Sequence, residues 1–234
     1  MPQEGILGMG MLRMALRRIE PSLISLYRHV VEPPPPNLKG DRDIEYSWIA
    51  AHMPSGPGRA LDVGSGTSFM ALIAARRGFD TEAVDLHPAN WPYAHPNLHF
   101  RQAEMLTIGA ALGSFDLIIC CSAIEHVGLG RYGDRPNPDG DLEAMKILWK
   151  LLRPSGRMLL TIPVGLDGTF GALHRVYGPR RLPRLLEGFA IERREFWLKD
   201  DTNRWIPGEE DSALRSPAGP SLYSIGCFML RVAQ

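Results

Sequence analysis

The chain has 234 residues and a formal net charge of zero; 44% of the residues are hydrophobic and 22% are charged. This composition is typical of one large globular domain, or of one domain with extensions, and the lack of a basic excess argues against a general nucleic-acid binder. The three cysteines exclude a disulfide framework. Because two of them are adjacent in an apolar run, they favour buried thiols in a reducing compartment, and we expect a cytoplasmic protein.

The N-terminal segment differs in composition from the rest of the chain. Residues 6–31 are rich in Met, Leu and Ile, but charged residues interrupt them, so we expect neither a transmembrane segment nor a signal peptide. The pattern predicts an amphipathic helix pair, broken near Pro21, that packs on the domain; the alternative is a helix that contacts a membrane surface or a protein partner. Residues 33–36 are all proline, which is typical of a stiff spacer. We therefore predict a helical extension and proline-rich linker over 1–40 and a main domain over 41–234.

The main domain alternates predicted helices and strands. Helices are expected over 41–53, 68–77, 141–152 and 181–187, and strands over 59–63, 81–85, 97–103, 115–122, 156–164, 190–197 and 222–232. Residues 199–220 carry turn residues and no clear helix, so the last two strands are expected to pair antiparallel, because a parallel crossover usually needs a helix. The pattern predicts an α/β, Rossmann-like fold: a mostly parallel seven-stranded sheet with an antiparallel last strand and helices on both faces.

A glycine-rich turn directly follows the first predicted strand. Residues 62–67 read Asp-Val-Gly-Ser-Gly-Thr. The glycines allow a sharp turn and a close approach of a ligand to the backbone, and the next helix points its free N–H groups into the same turn. The second strand ends at Asp85, about 20 residues further on, where a carboxylate can accept hydrogen bonds from ribose hydroxyls. The spacing suggests an adenosine-containing cofactor.

Five motifs along residues 58–165 resemble, in order, those of the class I S-adenosylmethionine-dependent methyltransferases. They are an acid followed by Gly-x-Gly (Asp62, Gly64, Gly66), an acid after the second strand (Asp85), an acid after the third (Glu104), the fourth strand with the residues that end it (115–119 and 122–127), and the turn before the fifth strand (152–157). The third glycine of the first motif is Ser68 here. Residues 125–134, 139–141 and 174–178 resemble, in addition, a methyltransferase-like domain family of unknown function.

The resemblance implies S-adenosylmethionine as the cofactor. Asp62 would face its methionine end, Asp85 would hold the ribose and Glu104 would accept a hydrogen bond from the adenine amino group. The residues implied to contact the cofactor are Asp62, Gly64, Ser65, Gly66, Thr67, Asp85, Leu86, Glu104 and Ser122. The implied reaction is an in-line displacement at the sulfonium methyl group, for which the protein supplies orientation and water exclusion.

Candidate catalytic residues follow the central strand, where ligands bind in open α/β sheets. His126 has a reference pKa that suits a general base, and Glu125 would orient it or bind substrate. The alternative is that His126 packs beneath the cofactor or bonds a backbone group. Asp141 is expected to cap the next helix, although it and Asp139 can also bind a polar substrate or, with His126, a divalent cation. We predict no metal.

Polar residues after the fourth and fifth strands are the candidate acceptor-binding set: Arg131, Tyr132, Asp134, His174, Arg175 and Tyr177. They suggest a small polar acceptor, such as a sugar or a glycan precursor, and no nucleic acid. Two other functions stay open: a non-catalytic cofactor-binding or scaffold protein whose N-terminal helices dock a partner, and a nicotinamide-dependent oxidoreductase. The acid before the glycines and the antiparallel last strand fit the oxidoreductase less well.

Overall fold

A central sheet runs through residues 40–108 and 114–233, the part of the chain that the computed structural model describes. Its strands and those of a small second sheet are β1 Gly58–Val63, β2 Phe79–Asp85, β3 Leu98–Gln102, β4 Phe115–Cys121, β5 Leu152–Val164, β6 Gly168–Thr169, β7 Arg175–Val176, β8 Phe189–Lys199, β9 Trp205–Gly208 and β10 Ser224–Val232. The helices are α1 Asp41–His52, α2 Met70–Arg76, α3 Gly140–Leu151, α4 Arg181–Leu185 and α5 Glu210–Leu214. The helix pair predicted within residues 6–31 and the proline spacer lie outside the described residues.

The strand order of the central sheet is β3-β2-β1-β4-β5-β10-β8-β9. The strands β1 to β5 run parallel to one another. β10 is antiparallel to both of its neighbours, β5 and β8, which confirms the predicted antiparallel last strand. The chain order reverses at β1, which lies between β2 and β4, and ligands of open α/β sheets bind at such a reversal.

The segment before the last strand differs from the prediction. Residues 199–220, expected to form turns and no clear helix, contain β9 and α5, so the central sheet has eight strands rather than seven. β9 forms the edge of the sheet and pairs with β8, and edge strands are where prolines such as Pro207 occur in sheets. β6 and β7 pair separately as a two-stranded antiparallel sheet, which the sequence did not predict.

Helices cover both faces of the central sheet, as predicted. Alternate side chains of β4 point to opposite faces, so Ile118 packs in one hydrophobic cluster with Met145 of α3. Leu117 packs in a second cluster with Trp48 of α1 and Met70 of α2. Since both faces are covered, the free edge at the carboxyl ends of the parallel strands is where side chains can meet a ligand. No helix within residues 40–108 or 114–233 is long and apolar enough to cross a membrane.

Candidate functional site

A cavity of about 450 Å³ opens at the carboxyl ends of the parallel strands. Most of the residues predicted to bind a cofactor line it: Gly64, Ser65, Gly66, Thr67, Asp85, Leu86, Glu104 and Ser122. The predicted base His126 lines it as well, as do Tyr132 and Asp134 from the loop that follows β4. The structure therefore brings residues from four separate turns of the chain to one cavity.

The two glycines of the first turn have different structural reasons to be glycine. Both have positive φ, +67° at Gly64 and +49° at Gly66. A Cβ at Gly64 would collide with the Cβ of Ala123, so this glycine lets the turn after β1 approach the turn after β4. A Cβ at Gly66 would meet no described atom within 4 Å, so this glycine keeps the cavity open beside the backbone.

Asp85 is held against the glycine turn by hydrogen bonds from the backbone. The Gly66 amide donates to Oδ2 at 2.8 Å, and the His87 amide donates to Oδ1 at 2.9 Å. Each carboxylate oxygen has a second lone pair, so Asp85 can still accept hydrogen bonds from a ligand in the cavity. The glycine turn and the second-strand acid, which the sequence assigned to one cofactor site, are thus in direct contact.

Two aromatic residues that sequence reasoning missed brace the same turn. The Trp91 indole donates to the Gly66 carbonyl at 3.0 Å, and the Tyr93 hydroxyl donates to the Ser68 carbonyl. Their rings are stacked, with centroids 5.2 Å apart. The sequence did contain a signal for them: two aromatic residues follow soon after the second-strand acid, whereas loops are usually polar.

Asp62 lies behind the glycine turn and is 1% exposed. Burial raises the pKa of its carboxyl to about 7, although the Ala71 backbone N–H opposes the shift. Its Oδ2 atom and the Ser65 hydroxyl are both buried without a hydrogen-bond partner among the described residues. Because unpaired buried polar atoms are costly, this part of the site is suited to a ligand or water that supplies donors.

Glu125 and His126 form a short 3₁₀ turn directly after β4. The His126 Nδ1 atom lies 2.6 Å from the carbonyl oxygen of Leu173, so Nδ1 carries the proton and donates it. His126 Nε2 is then an acceptor, 3.6 Å from Glu125 Oε1. Burial lowers the pKa of His126 to about 4 and raises that of Glu125 to about 7. At neutral pH the imidazole is therefore neutral, as a proton acceptor must be.

The first helix supplies a wall of the cavity that sequence reasoning did not predict. Arg42 and Tyr46 of α1 line the cavity. Glu45, between them, is 1% exposed and accepts hydrogen bonds from the Ser122 hydroxyl and, at 3.0 Å, from the Thr161 hydroxyl. Burial raises the pKa of Glu45 to about 7, against the opposing effect of Arg42. The periodicity of residues 41–53 indicated a helix, but no local pattern marked a glutamate that is buried by strands much later in the chain.

Two residues of the predicted acceptor set, Arg175 and Tyr177, are placed away from the cavity lining. Arg175 is 1% exposed and donates to backbone carbonyls of the loop after β4, among them Val127 at 2.6 Å and Asn137 at 3.1 Å. Tyr177 is fully buried, and its hydroxyl donates to Asp141 at 3.1 Å. These contacts fix the loop that carries His126, Tyr132 and Asp134.

Asp141 does not cap the helix as expected. It lies inside α3, whose N-terminal flank is Asp139, and neither side chain makes a capping hydrogen bond. Instead, Asp141 is buried and ion-paired with Arg181 at 2.5 Å and with Arg175 at 3.6 Å. Two arginines and a tyrosine satisfy this carboxylate, which removes it from the set that can reach a substrate.

Of the four other predicted acceptor residues, Tyr132 and Asp134 line the cavity, whereas Arg131 and His174 do not. Asp134 accepts backbone hydrogen bonds from Gly128 at 2.7 Å and from Gly130 at 3.3 Å, which shapes the loop. Arg131 donates to the Leu173 carbonyl at 2.9 Å and lies over the Tyr132 ring. His174 does not line the cavity; its ring packs 5.2 Å from that of Tyr223 and 6.5 Å from that of His126.

Within residues 40–108 and 114–233, no group of three or more His, Cys, Asp or Glu side chains is placed to hold a metal ion.

Comparison with known families gives two matches. The family described as a methyltransferase domain matches residues 60–134, which include the glycine turn and the loop after β4. The family described as a Caenorhabditis protein of unknown function, DUF268, matches residues 106–196. Together the two matches run from β1 into β8.

The curated relatives that match the chain include two named as methyltransferases. A putative methyltransferase, YqeM, of Bacillus subtilis is 26% identical over 122 residues, which are 49% of this chain and 46% of the relative. The demethylmenaquinone methyltransferase of Deinococcus radiodurans is 27% identical over 159 residues, 64% of this chain and 61% of the relative. The chain thus spans about half to three fifths of the length of these two relatives.

The fold is that of a solved N-methyltransferase. The Burkholderia thailandensis 1,6-didemethyltoxoflavin-N1-methyltransferase, solved with S-adenosylhomocysteine, aligns with a TM-score of 0.52 at 16% identity and covers 95% of this chain and 90% of its own. At this identity the likeness is one of fold.

Proposed function

We propose that the chain is a class I S-adenosylmethionine-dependent methyltransferase and that it transfers a methyl group from S-adenosylmethionine to a small polar acceptor. The observation that carries the proposal is the contact between Asp85 and the Gly66 amide at the mouth of an open cavity. This contact joins the second-strand acid to the turn where the strand order reverses, which is the arrangement that binds an adenosine moiety.

The side chains present fit this cofactor. Asp85 would accept hydrogen bonds from the ribose hydroxyls and Glu104 from the adenine amino group, since both line the cavity. Asp62 has a buried carboxylate oxygen without a partner among the described residues, which suits a donor at the methionine end. The open space beside Gly66 leaves room for the ligand against the backbone. When bound, the cofactor supplies a methyl group that is already activated by its sulfonium.

The chain's own chemical contribution is orientation and proton transfer. His126 lines the cavity with a neutral ring and an Nε2 acceptor, so it can take the proton that a hydroxyl or amine acceptor loses on methylation. Glu125, 3.6 Å from Nε2, would stabilise the resulting imidazolium when its carboxyl is ionised. Because burial holds the His126 pKa at about 4, this stabilisation is needed for the ring to act as a base near neutral pH.

The acceptor is proposed to be a small polar molecule, such as a sugar or a glycan precursor. Tyr132 and Asp134 border the cavity with polar atoms, and Ser122 supplies a hydroxyl from the end of β4. The cavity volume of about 450 Å³ is within the range of small-molecule sites.

Calorimetry tests the cofactor directly. The full chain would be titrated with S-adenosylhomocysteine, S-adenosylmethionine and NAD, beside an Asp85→Ala variant. Asp80→Ala is the matched control, because Asp80 lies on the same strand but is exposed, and its ion-pair partner among the described residues is His99. We expect micromolar binding of the first two ligands, weakened by at least about tenfold in Asp85→Ala and unchanged in Asp80→Ala.

Two results would contradict the proposal. Binding of NAD in preference to S-adenosylhomocysteine would favour the oxidoreductase. Binding of S-adenosylmethionine without turnover across a broad panel of hydroxyl and amine acceptors would favour the non-catalytic cofactor-binding protein.

A further inference from the structure

Arg42 places a permanent positive charge in the cavity wall. It lies in the first turn of α1, and its side chain is 47% exposed. Among the described lysines and arginines, Arg42 alone lines the cavity. Its Nη1 atom is 3.9 Å from the Sγ atom of Cys121, so the charge lies at the end of β4.

A buried carboxylate fixes the orientation of this guanidinium. Glu45 Oε2 lies 2.6 Å from Arg42 Nη1, while Glu45 Oε1 accepts hydrogen bonds from the Ser122 and Thr161 hydroxyls. These hydrogen bonds hold the Glu45 carboxylate in place, so its ion pair with Arg42 also holds the guanidinium in place. An arginine held in this way loses little side-chain entropy when it binds a ligand.

Part of the guanidinium has no hydrogen-bond partner in the part of the chain that the structure describes. The contacts of Arg42 use Nη1, and neither Nε nor Nη2 has a hydrogen-bond partner among the described residues. Two parallel N–H groups on a guanidinium edge match the two oxygens of a carboxylate or a phosphate. The free edge is thus suited to an anionic oxygen group rather than to a neutral one.

The location of Arg42 points to the acceptor and not to the nucleoside part of the cofactor. Asp85 and Glu104, the residues suited to ribose and adenine, follow β2 and β3, on the far side of β1. Arg42 contacts the end of β4, the strand whose following turn carries His126. The charge is therefore on the same side of the cavity as the proposed base.

We propose that Arg42 binds a carboxylate or phosphate group of the methyl acceptor, so that the acceptor is a small anionic molecule. Glu45 is then a positioning residue for Arg42. The inference rests on the proposed function of the same cavity, and it narrows the acceptor from any small polar molecule to an anionic one.

Nuclear magnetic resonance of the arginine side chains tests this. The Arg42 Nε–H signal, assigned as the one that disappears in Arg42→Lys, would be followed in the full chain saturated with S-adenosylhomocysteine. Acetate and inorganic phosphate are the probes. We expect a saturable shift of this signal with each probe. Arg42→Gln lacks the signal, so binding of the probes to this variant and to the parent would be compared by calorimetry, and we expect it to be at least about tenfold weaker in the variant. Arg193, exposed and paired only with Glu195, is the internal reference and should not show saturation.

The outcomes separate this inference from the proposed function. Failure of S-adenosylhomocysteine to bind would contradict the proposed function itself. If it binds but Arg42 shows no saturable response, only the anion site is contradicted. If S-adenosylhomocysteine alone shifts the Arg42 signal and prevents the probes from binding, then Arg42 binds the carboxylate of the cofactor. That result also overturns the inference. Circular dichroism of Arg42→Gln and Arg42→Lys checks that both variants fold.

Discussion

His126 Nδ1 lies 2.6 Å from the carbonyl oxygen of Leu173, which joins the turn after β4 to the loop between β6 and β7. A carbonyl only accepts, so the bond selects one tautomer of the imidazole. The proposed base therefore presents Nε2 as its acceptor before any substrate arrives.

We predict that His126 stays neutral, with the proton on Nδ1, from pH 6 to pH 8 and titrates only below about pH 5, because burial lowers its pKa to about 4. Two-dimensional ¹⁵N spectra of the imidazoles would show this, with His126→Gln identifying the signal. A proton on Nε2, or titration near the reference value of about 6.5, would contradict the geometry described here.

Gly66→Ala should separate ligand binding from backbone strain. Gly171 is the matched control, since its φ is +56° against +49° at Gly66, and a Cβ at either position would meet no described atom within 4 Å. We expect each alanine variant to lower the free energy of unfolding by about 1 kcal/mol. Only Gly66→Ala should weaken S-adenosylhomocysteine binding, because only Gly66 lines the cavity. Urea denaturation and calorimetry measure the two effects, and equal affinity in the two variants would argue against a ligand beside Gly66.

Asp62→Asn should stabilise the ligand-free protein at high pH. Burial raises the Asp62 pKa from 3.8 to about 7, so the folded state holds a proton that the unfolded state loses between these values. The advantage of the variant over the parent should therefore grow by up to about 1.4 kcal/mol per pH unit from pH 4 to pH 7 and then level off. His126 contributes in the opposite direction below pH 6.5 in both proteins and cancels in the difference.

Urea denaturation across this pH range measures that difference. Asp80→Asn is the control, since Asp80 is exposed on the next strand. The difference in the free energy of unfolding between Asp80→Asn and the parent should not grow from pH 4 to pH 7. A pH-independent difference for Asp62→Asn would mean that Asp62 is ionised in the ligand-free fold.

Arg175 is expected to matter for stability although it does not line the cavity. Arg175→Met removes the buried cation that pairs with Asp141, and it leaves several backbone carbonyls without their hydrogen-bond donor. We therefore expect the free energy of unfolding to fall by about 3–5 kcal/mol. Arg175→Lys should recover part of this, because it restores the charge but not the forked donor set. The exposed Arg193→Met should change stability by no more than about 0.5 kcal/mol.

Amide hydrogen exchange gives a second measure of the Arg175 contacts. The amides between Gly128 and Gly140 should exchange faster in Arg175→Met than in the parent, at a pH where global unfolding is slow. Unchanged exchange in this loop would mean that Asp134 alone is enough to hold it.

The sequence predicted the parts of the site that lie close together along the chain. The glycine turn and Asp85 are separated by one helix and one strand, so their spacing alone predicted that both belong to one cofactor site; the hydrogen bond between Gly66 and Asp85 was not predicted. The parallel strands and the antiparallel end were predictable for a similar reason: each depends on local periodicity and on the length of one connection.

Other parts depend on packing that no local pattern records. A glutamate in an amphipathic helix usually lies on the solvated face, and only the docking of α1 on β4 and β5 buries Glu45. Arg175 and Tyr177 follow the fifth strand, where a ligand contact was expected, but the buried carboxylate of Asp141 binds both. The short edge strand β9 was missed because four residues with a proline show no strand period.

The hydrogen bonds of Glu45 also constrain the order in which the fold can assemble. Ser122 and Thr161 lie 77 and 116 residues after Glu45, whereas Gly66 and Asp85 are only 19 residues apart. Contacts between distant parts of a chain carry the larger loop-closure cost and form late. The nucleotide half of the cavity can therefore form from a short nascent segment, while the wall that carries Arg42 is completed only after β5 has been synthesised.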